Sequence, residues 1–255
     1  MAAWALVDGV EGPLESAVLP ITDPALTVGW SVFETLRVDE DGDAPHLDEH
    51  LDRLYGSCAG AVIPFPGADV LRTEVHRAAA RCGYPARIRI TLTGGGRRLV
   101  VATPLDLQRR HRPVRAARGP HVDEPFLGGG VKHGSRAPWV AAVSRSGVDE
   151  VLLVDRNDRF TEGTTSGILA VVDGVLYTAP HDGRILASTT VTALIARAQA
   201  LGVPVRLESP CALGPWDGLY IASATRDIAP VIELDGEPLS GWDPVGRRLA
   251  AASLR

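Results

Sequence analysis

Lysine is almost absent from this chain of 255 residues. Lysine and arginine together number 26, and Lys132 is the single lysine among them. The two residues do not exchange where a side-chain nitrogen must lose its proton, because guanidinium stays protonated in proteins whereas a lysine amine can become neutral and attack a carbonyl. Lys132 is therefore a candidate nucleophile, against the alternative that it is a chance survivor of a biased composition.

Cysteine is also scarce. Cys58, Cys82 and Cys211 are odd in number and widely spaced, which fits neither a disulfide framework nor a zinc site. The histidines likewise lack the paired spacing of metal ligands. We therefore expect reduced thiols and no metal ion.

Long apolar runs are missing as well. No stretch approaches the roughly 18 apolar residues that a membrane helix needs, and the start of the chain, MAAWALVDGV, lacks the basic and apolar regions of a secretory signal. A net charge of −5 argues against nucleic acid, and the basic run at 108–118 has no aromatic residue for base stacking. We expect a cytoplasmic protein whose partners are neither membranes nor nucleic acids.

The composition that remains, with 45% apolar and 22% charged residues, is that of an ordinary globular protein. In the first half, alternating or β-branched runs predict strands at 31–38, 86–93, 98–104 and 113–119. Two segments, 46–61 and 68–83, carry apolar residues on one helical face and are predicted to cover a sheet.

The pattern restarts beyond Pro120. The later elements are predicted as strands at 149–155, 167–179, 204–209, 218–224 and 229–236, and as helices near 137–146, 189–201 and 243–254. Asp173-Gly174 supplies a hairpin turn inside the second of these strand segments. The order of elements predicts an α+β protein with two lobes, at 1–118 and 119–255.

The surroundings of Lys132 strengthen its candidacy. Three consecutive glycines, 128–130, allow the backbone to approach another group closely, and His133 and Arg136 follow the lysine. A lysine that forms a Schiff base needs an aldehyde, which pyridoxal 5'-phosphate generally supplies. That cofactor requires an anion for its pyridine nitrogen, donors for its phosphate and space for an amino-acid substrate.

Candidates for these requirements exist in the second half. Glu162, in RFTEGTTSGIL, is a candidate anion, although its spacing suits a simple turn equally well. Ser188, Thr189 and Thr190 stand at the predicted start of a helix, where free N–H groups and the helix dipole favour a dianion. The simpler interpretation of these three residues is a helix cap.

Six segments of the chain share a pattern with one family. They are ITDPALTVGWSVFETLRV (21–38), LDEHLDRL (47–54), GVKHGSR (130–136), DEVLLVDRNDRFTEGTTSGI (149–168), GRILASTTVTAL (183–194) and ASATRDIAPVIELDG (222–236). Together, and in this order, they resemble the class IV aminotransferase family of pyridoxal-phosphate enzymes, fold type IV. The resemblance implies a small N-terminal α/β lobe, a larger C-terminal mixed β-barrel-like lobe with flanking helices, and a homodimer.

The resemblance also implies roles for single residues. Lys132 is then the Schiff-base lysine and the acid/base of the reaction, and Glu162 pairs with the pyridine nitrogen. Arg53 binds the phosphate. The further cofactor-binding residues that the resemblance implies are Ser188, Thr189, Thr190, Ser223 and Thr225.

Some positions depart from the family pattern. Gly167 stands where asparagine is usual, Ser188 where glycine is usual, and Trp30 where the opening motif has aspartate. An arginine that holds the substrate carboxylate in some members is replaced by Thr93. The candidate substrate-binding residues are accordingly Trp30, Arg97, Arg98, His133 and Arg136.

The sequence leaves the type of reaction open, because the same cofactor supports several reactions. GVKHGSR resembles the pattern of 4-amino-4-deoxychorismate lyase, which favours elimination of pyruvate to give 4-aminobenzoate. SATRDIAPVIELDG instead resembles a D-amino acid aminotransferase, so an aminotransferase for D- or branched-chain amino acids is the alternative. A non-catalytic ligand-binding protein on the same fold is a third.

Overall fold

The computed structural model describes residues 2–122 and 126–252, and it contains two compact units. One unit comprises Met1–Leu107 and Pro125–Arg136, and the other comprises Gln108–Glu124 and Ala137–Arg255. This division differs from the single boundary predicted at 118/119. The segment that carries Lys132 belongs to the first unit, because its backbone pairs with a strand of that unit's sheet.

The first unit is an antiparallel sheet with helices packed against it. Its elements are β1 (Trp4–Val7), β2 (Val10–Pro13), α1 (Pro24–Thr27), β3 (Ser31–Val38), α2 (Leu47–Ala61), α3 (Ala68–Cys82), β4 (Ala86–Thr93) and β5 (Arg98–Pro104). The strand order is β2-β1-β5-β4-β3, which leaves β3 at an edge. The predicted strands at 31–38, 86–93 and 98–104 and both predicted helices are confirmed.

Alternation along the strands decides which face of this sheet meets the helices. In β4, Ile88 and Ile90 are fully buried in a core that also contains Leu51 and Leu54 of α2. The intervening residues, such as Arg89, lie on the opposite face. The β1–β2 hairpin, which the sequence analysis missed, turns at Asp8-Gly9, where both residues have positive φ, the turn geometry that this dipeptide favours.

The second unit contains a larger, mixed sheet. Its elements are β6 (Val114–Pro120), α4 (Ala137–Ser146), β7 (Glu150–Val154), β8 (Phe160–Gly163), β9 (Gly167–Val172), β10 (Val175–Thr178), α5 (Thr189–Ala200), β11 (Val205–Leu207), β12 (Gly218–Ser223), β13 (Asp227–Leu234), β14 (Glu237–Pro238) and α6 (Pro244–Ala251). The order is β11-β10-β9-β12-β13-β6-β7-β8, and β8 also pairs with β9. The sheet therefore closes on itself and is barrel-like.

Both sides of this closed sheet are apolar. Ile168 and Ala170 belong to one buried cluster, whereas Leu169 and Val171 belong to another that includes residues of α5 and α6. Such continuous burial explains why GILAVV reads as an uninterrupted apolar run. The predicted turn at Asp173-Gly174 is confirmed, with positive φ at both residues.

The α+β class is confirmed, and the predicted helices of the second half appear at Ala137–Ser146, Thr189–Ala200 and Pro244–Ala251. The end of the predicted helix at 243–254 reaches residues 253–254, which lie outside the described residues. The short strand β8 was not predicted as a separate element. Within residues 2–122 and 126–252, the helices are all too short or too polar to cross a membrane.

Candidate active site

The backbone of Lys132 is held from two directions within the first unit. Its N–H donates to Ser57 Oγ of α2 at 3.1 Å, and its carbonyl accepts from the Phe33 N–H of β3 at 2.9 Å. Gly134 N–H then donates to Ser31 O at 2.7 Å, which continues the pairing along the edge of β3. The main chain of the lysine is thereby fixed, and the side chain extends from a defined point.

Two cationic side chains lie near one aromatic ring. Lys132 Nζ is 5.1 Å from the centre of the Phe33 ring, and Arg89 Cζ is 3.8 Å from it. Contacts of this length between a cation and an aromatic face are attractive. Arg89 and Lys132 thus lie over the same Phe33 ring.

A buried ion pair lies beside the lysine. Glu34 of β3 is fully buried, and its carboxylate accepts from Arg53 Nε at 2.7 Å, from Arg53 Nη2 at 2.8 Å and from His50 Nδ1 at 2.9 Å. Burial raises the pKa of Glu34, but the charge of Arg53, the hydrogen bonds from His50 and Arg53 and the charge of Lys132 outweigh it. The pKa falls to about 2.

One face of α2 supplies all the helical residues of this cluster. His50, Arg53 and Ser57 are separated by three and four positions, so that they lie on one side of the helix. Arg53 was predicted as a phosphate-binding residue, and the structure brings it next to Glu34 and into the electrostatic neighbourhood of Lys132. Glu34, His50 and Ser57 were not singled out from the sequence.

Arg89 is a further residue that sequence reasoning missed. Its pKa is lowered to about 10, first by burial and then by the charges of Arg87 and Arg136. Within the part of the chain that the structure describes, no carboxylate pairs with its guanidinium. Alternation in ARIRITLT did place Arg89 on the face opposite the core, but nothing in the sequence distinguished it from Arg87 on the same face.

The predicted substrate arginines have other partners. Arg97 Nη1 pairs with Asp8 at 2.8 Å at an exposed position. Arg98 contacts Glu74 of α3 through Nε at 2.7 Å and Nη2 at 2.8 Å. Arg98 therefore lies on the helix-covered face of the sheet, opposite to Arg89, because residues an even number of positions from the core residue Val100 share its face.

The other three predicted substrate residues lie in the first unit. Trp30 Nε1 donates to Ala61 O at the end of α2, at 2.8 Å, so Trp30 has a structural role. His133 is buried and its backbone pairs with Val32. Arg136 is half-buried, and its charge acts on the guanidinium of Arg89.

In the second unit, Glu162 lies on β8, where the sheet closes through the pair of Glu162 with Gly167. Its Oε2 accepts from Leu186 N–H at 3.3 Å. The turn after Glu162 is fixed by buried Glu150, which accepts from Thr165 N–H at 2.8 Å and from the Thr164 hydroxyl. Leu186 precedes helix α5 by a few residues, so the carboxylate of Glu162 and the start of α5 adjoin.

Ser188 caps α5, because its Oγ accepts from Val191 N–H at 3.2 Å. The simpler interpretation of Ser188 is thus confirmed. Thr189 and Thr190 form the first turn of the helix, at the positive end of its dipole. A Cβ on Gly167 would lie 2.4 Å from Val191 Cγ2, so glycine at this departure from the family pattern permits close packing of β9 against α5.

Ser223 and Thr225 lie at the β12–β13 turn. Ser223 ends β12 and pairs with Asp227, and its carbonyl accepts from Arg226 N–H at 3.2 Å. Both residues are half-buried.

Each unit by itself carries side chains that suit one part of a single kind of cofactor. The first unit supplies an amine and a guanidinium, and the second a carboxylate and a helix N-terminus. These groups match the aldehyde, phosphate and pyridine nitrogen of pyridoxal 5'-phosphate. Among the described residues, no three histidine, cysteine or acidic side chains are grouped as metal ligands. An α+β enzyme that uses a lysine to bind pyridoxal phosphate fits this set.

Comparison with known proteins identifies the family. The profile described as "Amino-transferase class IV" matches residues 31–234. A putative branched-chain-amino-acid aminotransferase of Methanocaldococcus jannaschii is 30% identical over 251 residues, covering 89% of this chain and 86% of that protein. The chain belongs to the class IV aminotransferase family and is an enzyme of that family.

Two further proteins add to this comparison. A D-alanine aminotransferase of Listeria monocytogenes is 28% identical over 248 residues, covering 87% of this chain and 84% of that protein. A hypothetical aminotransferase from Mycobacterium tuberculosis, solved in a form with pyridoxal phosphate bound, superposes with a TM-score of 0.87 at 26% identity, covering 98% of this chain and 96% of that one. The fold is that of fold type IV enzymes, and the cofactor is pyridoxal 5'-phosphate.

These relatives favour one of the predicted reactions over the other. The two curated relatives described above are named as aminotransferases, one for branched-chain amino acids and one for D-alanine. The resemblance of GVKHGSR to the lyase pattern therefore receives no support from them. The transaminase alternative fits better than the lyase that the sequence favoured.

Proposed function

We propose that the protein is a transaminase that uses Lys132 and pyridoxal phosphate on an amino acid with a small or branched aliphatic side chain. One observation carries the proposal: the Lys132 backbone is fixed by Ser57 and Phe33, and its amine and the Arg89 guanidinium lie over the same Phe33 ring. The names of the relatives support amino transfer and suggest D-alanine and branched-chain amino acids as first substrates to test.

Lys132 has two tasks in this proposal. Bound pyridoxal phosphate supplies an aldehyde for the amine and an electron sink for the substrate. Lys132 Nζ would hold the cofactor through its aldehyde and, as a neutral amine, would accept and return the proton at the substrate Cα. A lysine amine, unlike a guanidinium, can lose its proton, and both tasks require that neutral amine.

The remaining cofactor contacts follow from the donor chemistry. Glu162 holds the proton at the pyridine nitrogen, since an ionised carboxylate is an acceptor only. Arg53, Thr189 and Thr190 bind the phosphate, through a guanidinium and through the N–H groups of the first helical turn. Ser223 and Thr225 add hydroxyl donors. Ser188 acts indirectly, as the cap that keeps the start of α5 in place.

Arg89 is the proposed partner of the substrate carboxylate. Its guanidinium is half-buried, lies on the Phe33 ring near Lys132 and has no carboxylate partner in the described chain. A partly desolvated guanidinium near a reacting amine binds a carboxylate with two parallel hydrogen bonds. Arg97 and Arg98 are less suited to bind the substrate carboxylate, because each already pairs with an acidic residue.

Half-reactions with the purified protein test the proposal. Both enantiomers of alanine and of leucine are added singly to the protein with pyridoxal phosphate, without an amino acceptor. A transaminase converts the cofactor to pyridoxamine phosphate and releases one equivalent of keto acid per site. A lyase would instead form pyruvate and 4-aminobenzoate from aminodeoxychorismate over many turnovers. No change of the cofactor with any substrate would favour a binding protein.

A homodimer is also proposed. Val18, Ile21 and Val28, in the segment before β3, are 74%, 82% and 71% exposed. The resemblance to the family implies a homodimer, and these exposed apolar side chains are candidates for its interface. Light scattering during size-exclusion chromatography measures the mass directly, and a mass equal to that of one chain would reject the dimer.

A further inference from the structure

Glu34 occupies a position that its strand would be expected to fill with an apolar residue. Its neighbours at alternate positions of β3, Val32 and Leu36, are fully buried against the helices, and Glu34 points to the same side. Burying a carboxylate is costly, and a buried ion pair often stabilises a protein no better than apolar residues of similar volume. Its presence at this point suggests a task other than stability.

The geometry of Glu34 constrains Arg53. The two carboxylate oxygens contact Nε and Nη2 of Arg53, the two donors along one side of the guanidinium. Because a guanidinium is planar and rigid, this fork sets both its plane and its direction. His50 binds the same carboxylate at 2.9 Å and thereby limits its rotation. The Nη1 side of Arg53 is directed away from Glu34 as a result.

Glu34 also interacts with Lys132 through its charge. The positive charge of Lys132 is one cause of the lowered pKa of Glu34, and such an interaction acts equally on both partners. The other charged groups around the lysine are cationic or titratable: His50 and Arg53 on α2, Arg89 on β4, and Arg136 with His133 on its own segment. Among the described residues of the first unit, Glu34 is the carboxylate that interacts with His50, Arg53 and Lys132.

We propose that Glu34 is a positioning residue that aims the Nη1 side of Arg53 at the cofactor phosphate and, by its negative charge, supports the protonated form of the Lys132 linkage. This inference rests on the proposed function, in which Arg53 binds the phosphate and Lys132 joins the cofactor.

Three variants distinguish the orientation of Arg53 from the effect of the Glu34 charge on Lys132, and both of these from a purely structural role. Glu34→Gln removes the charge and keeps the shape. Glu34→Asp keeps the charge but is one methylene shorter, so that it no longer reaches both nitrogens of Arg53. Glu74→Gln is the matched control, because buried Glu74 holds Arg98 with the same fork, at 2.7 and 2.8 Å. Each protein is titrated with pyridoxal phosphate and, separately, with pyridoxal.

In Glu34→Gln, the affinity for pyridoxal phosphate is expected to fall about tenfold or more, the range for loss of an oriented charged contact. The affinity for pyridoxal, which has no phosphate, should change less than threefold. The pH midpoint of the visible absorption band should move to lower pH, because the protonated linkage loses its nearby anion. Glu34→Asp should lose phosphate-dependent affinity and keep the midpoint, and Glu74→Gln should keep both.

Equal loss of affinity for pyridoxal and its phosphate, or the same changes in Glu74→Gln, would overturn the inference and leave Glu34 a structural residue. If Glu34→Gln does not fold, Glu34→Asp and His50→Gln still decide the positioning role through the ratio of the two affinities. The proposed function is tested independently by the wild-type protein. A visible band that forms with wild-type protein and is unaffected in the Glu34 variants refutes only the role of Glu34, whereas no band in the wild type refutes both.

Discussion

Gly167 and Val191 approach so closely that a methyl group on Gly167 would lie 2.4 Å from Val191 Cγ2. This contact joins β9 to the first turn of α5, the turn proposed to bind the phosphate. A valine methyl cannot move aside without moving the helix, since its side chain is short and buried.

Gly167→Ala is therefore expected to destabilise the protein by about 1–3 kcal/mol through overpacking. It should also weaken binding of pyridoxal phosphate, because α5 must shift. Val191→Ala removes the clashing methyl group, so the double variant should recover both properties beyond the sum of the single changes. Urea unfolding and cofactor titration measure them, and strictly additive effects would show that this contact does not control α5.

A second prediction uses the presence of only one lysine. Borohydride reduction of the protein with pyridoxal phosphate should label a single peptide, the one that contains Lys132. Lys132→Arg keeps the positive charge but cannot form the linkage, so it should lose the visible band and all amino transfer, as should Lys132→Ala. Arg136→Lys adds a second lysine four positions from Lys132 and is the control, because the label should still be found on Lys132. Transfer activity in Lys132→Arg would refute the covalent role.

Arg89 is predicted to determine recognition of the substrate carboxylate. Arg89→Gln should raise KM for the amino acid about tenfold or more, as expected for loss of a charged hydrogen-bonded pair. The KM for an amine substrate that has no carboxylate should rise less in the same variant. Arg97→Gln serves as the matched control and should leave KM unchanged, because Arg97 is exposed and pairs with Asp8. Equal effects of the two substitutions would reject the assignment.

The pairing of Glu34 with Arg53 and His50 leads to a prediction of how the free energy of unfolding depends on pH. The pKa of Glu34 is about 2 in the folded protein and near 4.5 for the ordinary side chain, so the unfolded chain binds more protons between these values. The stabilisation from the ionised form is complete above pH 4.5 and is lost as pH falls toward 2. The shift corresponds to on the order of 3 kcal/mol. Denaturant unfolding between pH 3 and 6 should show a shallower pH slope for Glu34→Gln than for wild type, and parallel slopes would contradict the prediction.

Much of the local structure could be predicted because its signals are local. β4 alternates, β3 is rich in β-branched and aromatic residues, and the hydrophobic residues of α2 recur at helical spacing, so these elements appear at the predicted places. The β1–β2 hairpin was missed although its Asp8-Gly9 turn is a recognised signal, because the flanking strands have only four residues each. The lobe boundary differs because the Lys132 segment pairs with β3, a contact between residues about a hundred positions apart.

The candidate site, like the fold, depends on contacts between distant residues that the sequence does not show. The sequence by itself singled out the residue that we propose for the covalent chemistry, since a single lysine among arginines is a chemical distinction that needs no coordinates. Through the resemblance to the family, it also singled out Arg53 and Glu162 as candidate cofactor-binding residues. Only the tertiary structure decided which arginine shares an aromatic ring with that lysine: Arg98 pairs with Glu74 on the helix-covered face, while Arg89 lies on the opposite face against Phe33. The physical reason is that alternation assigns a side chain to one face of a strand, whereas its neighbours on that face come from strand pairings and helices distant in the chain.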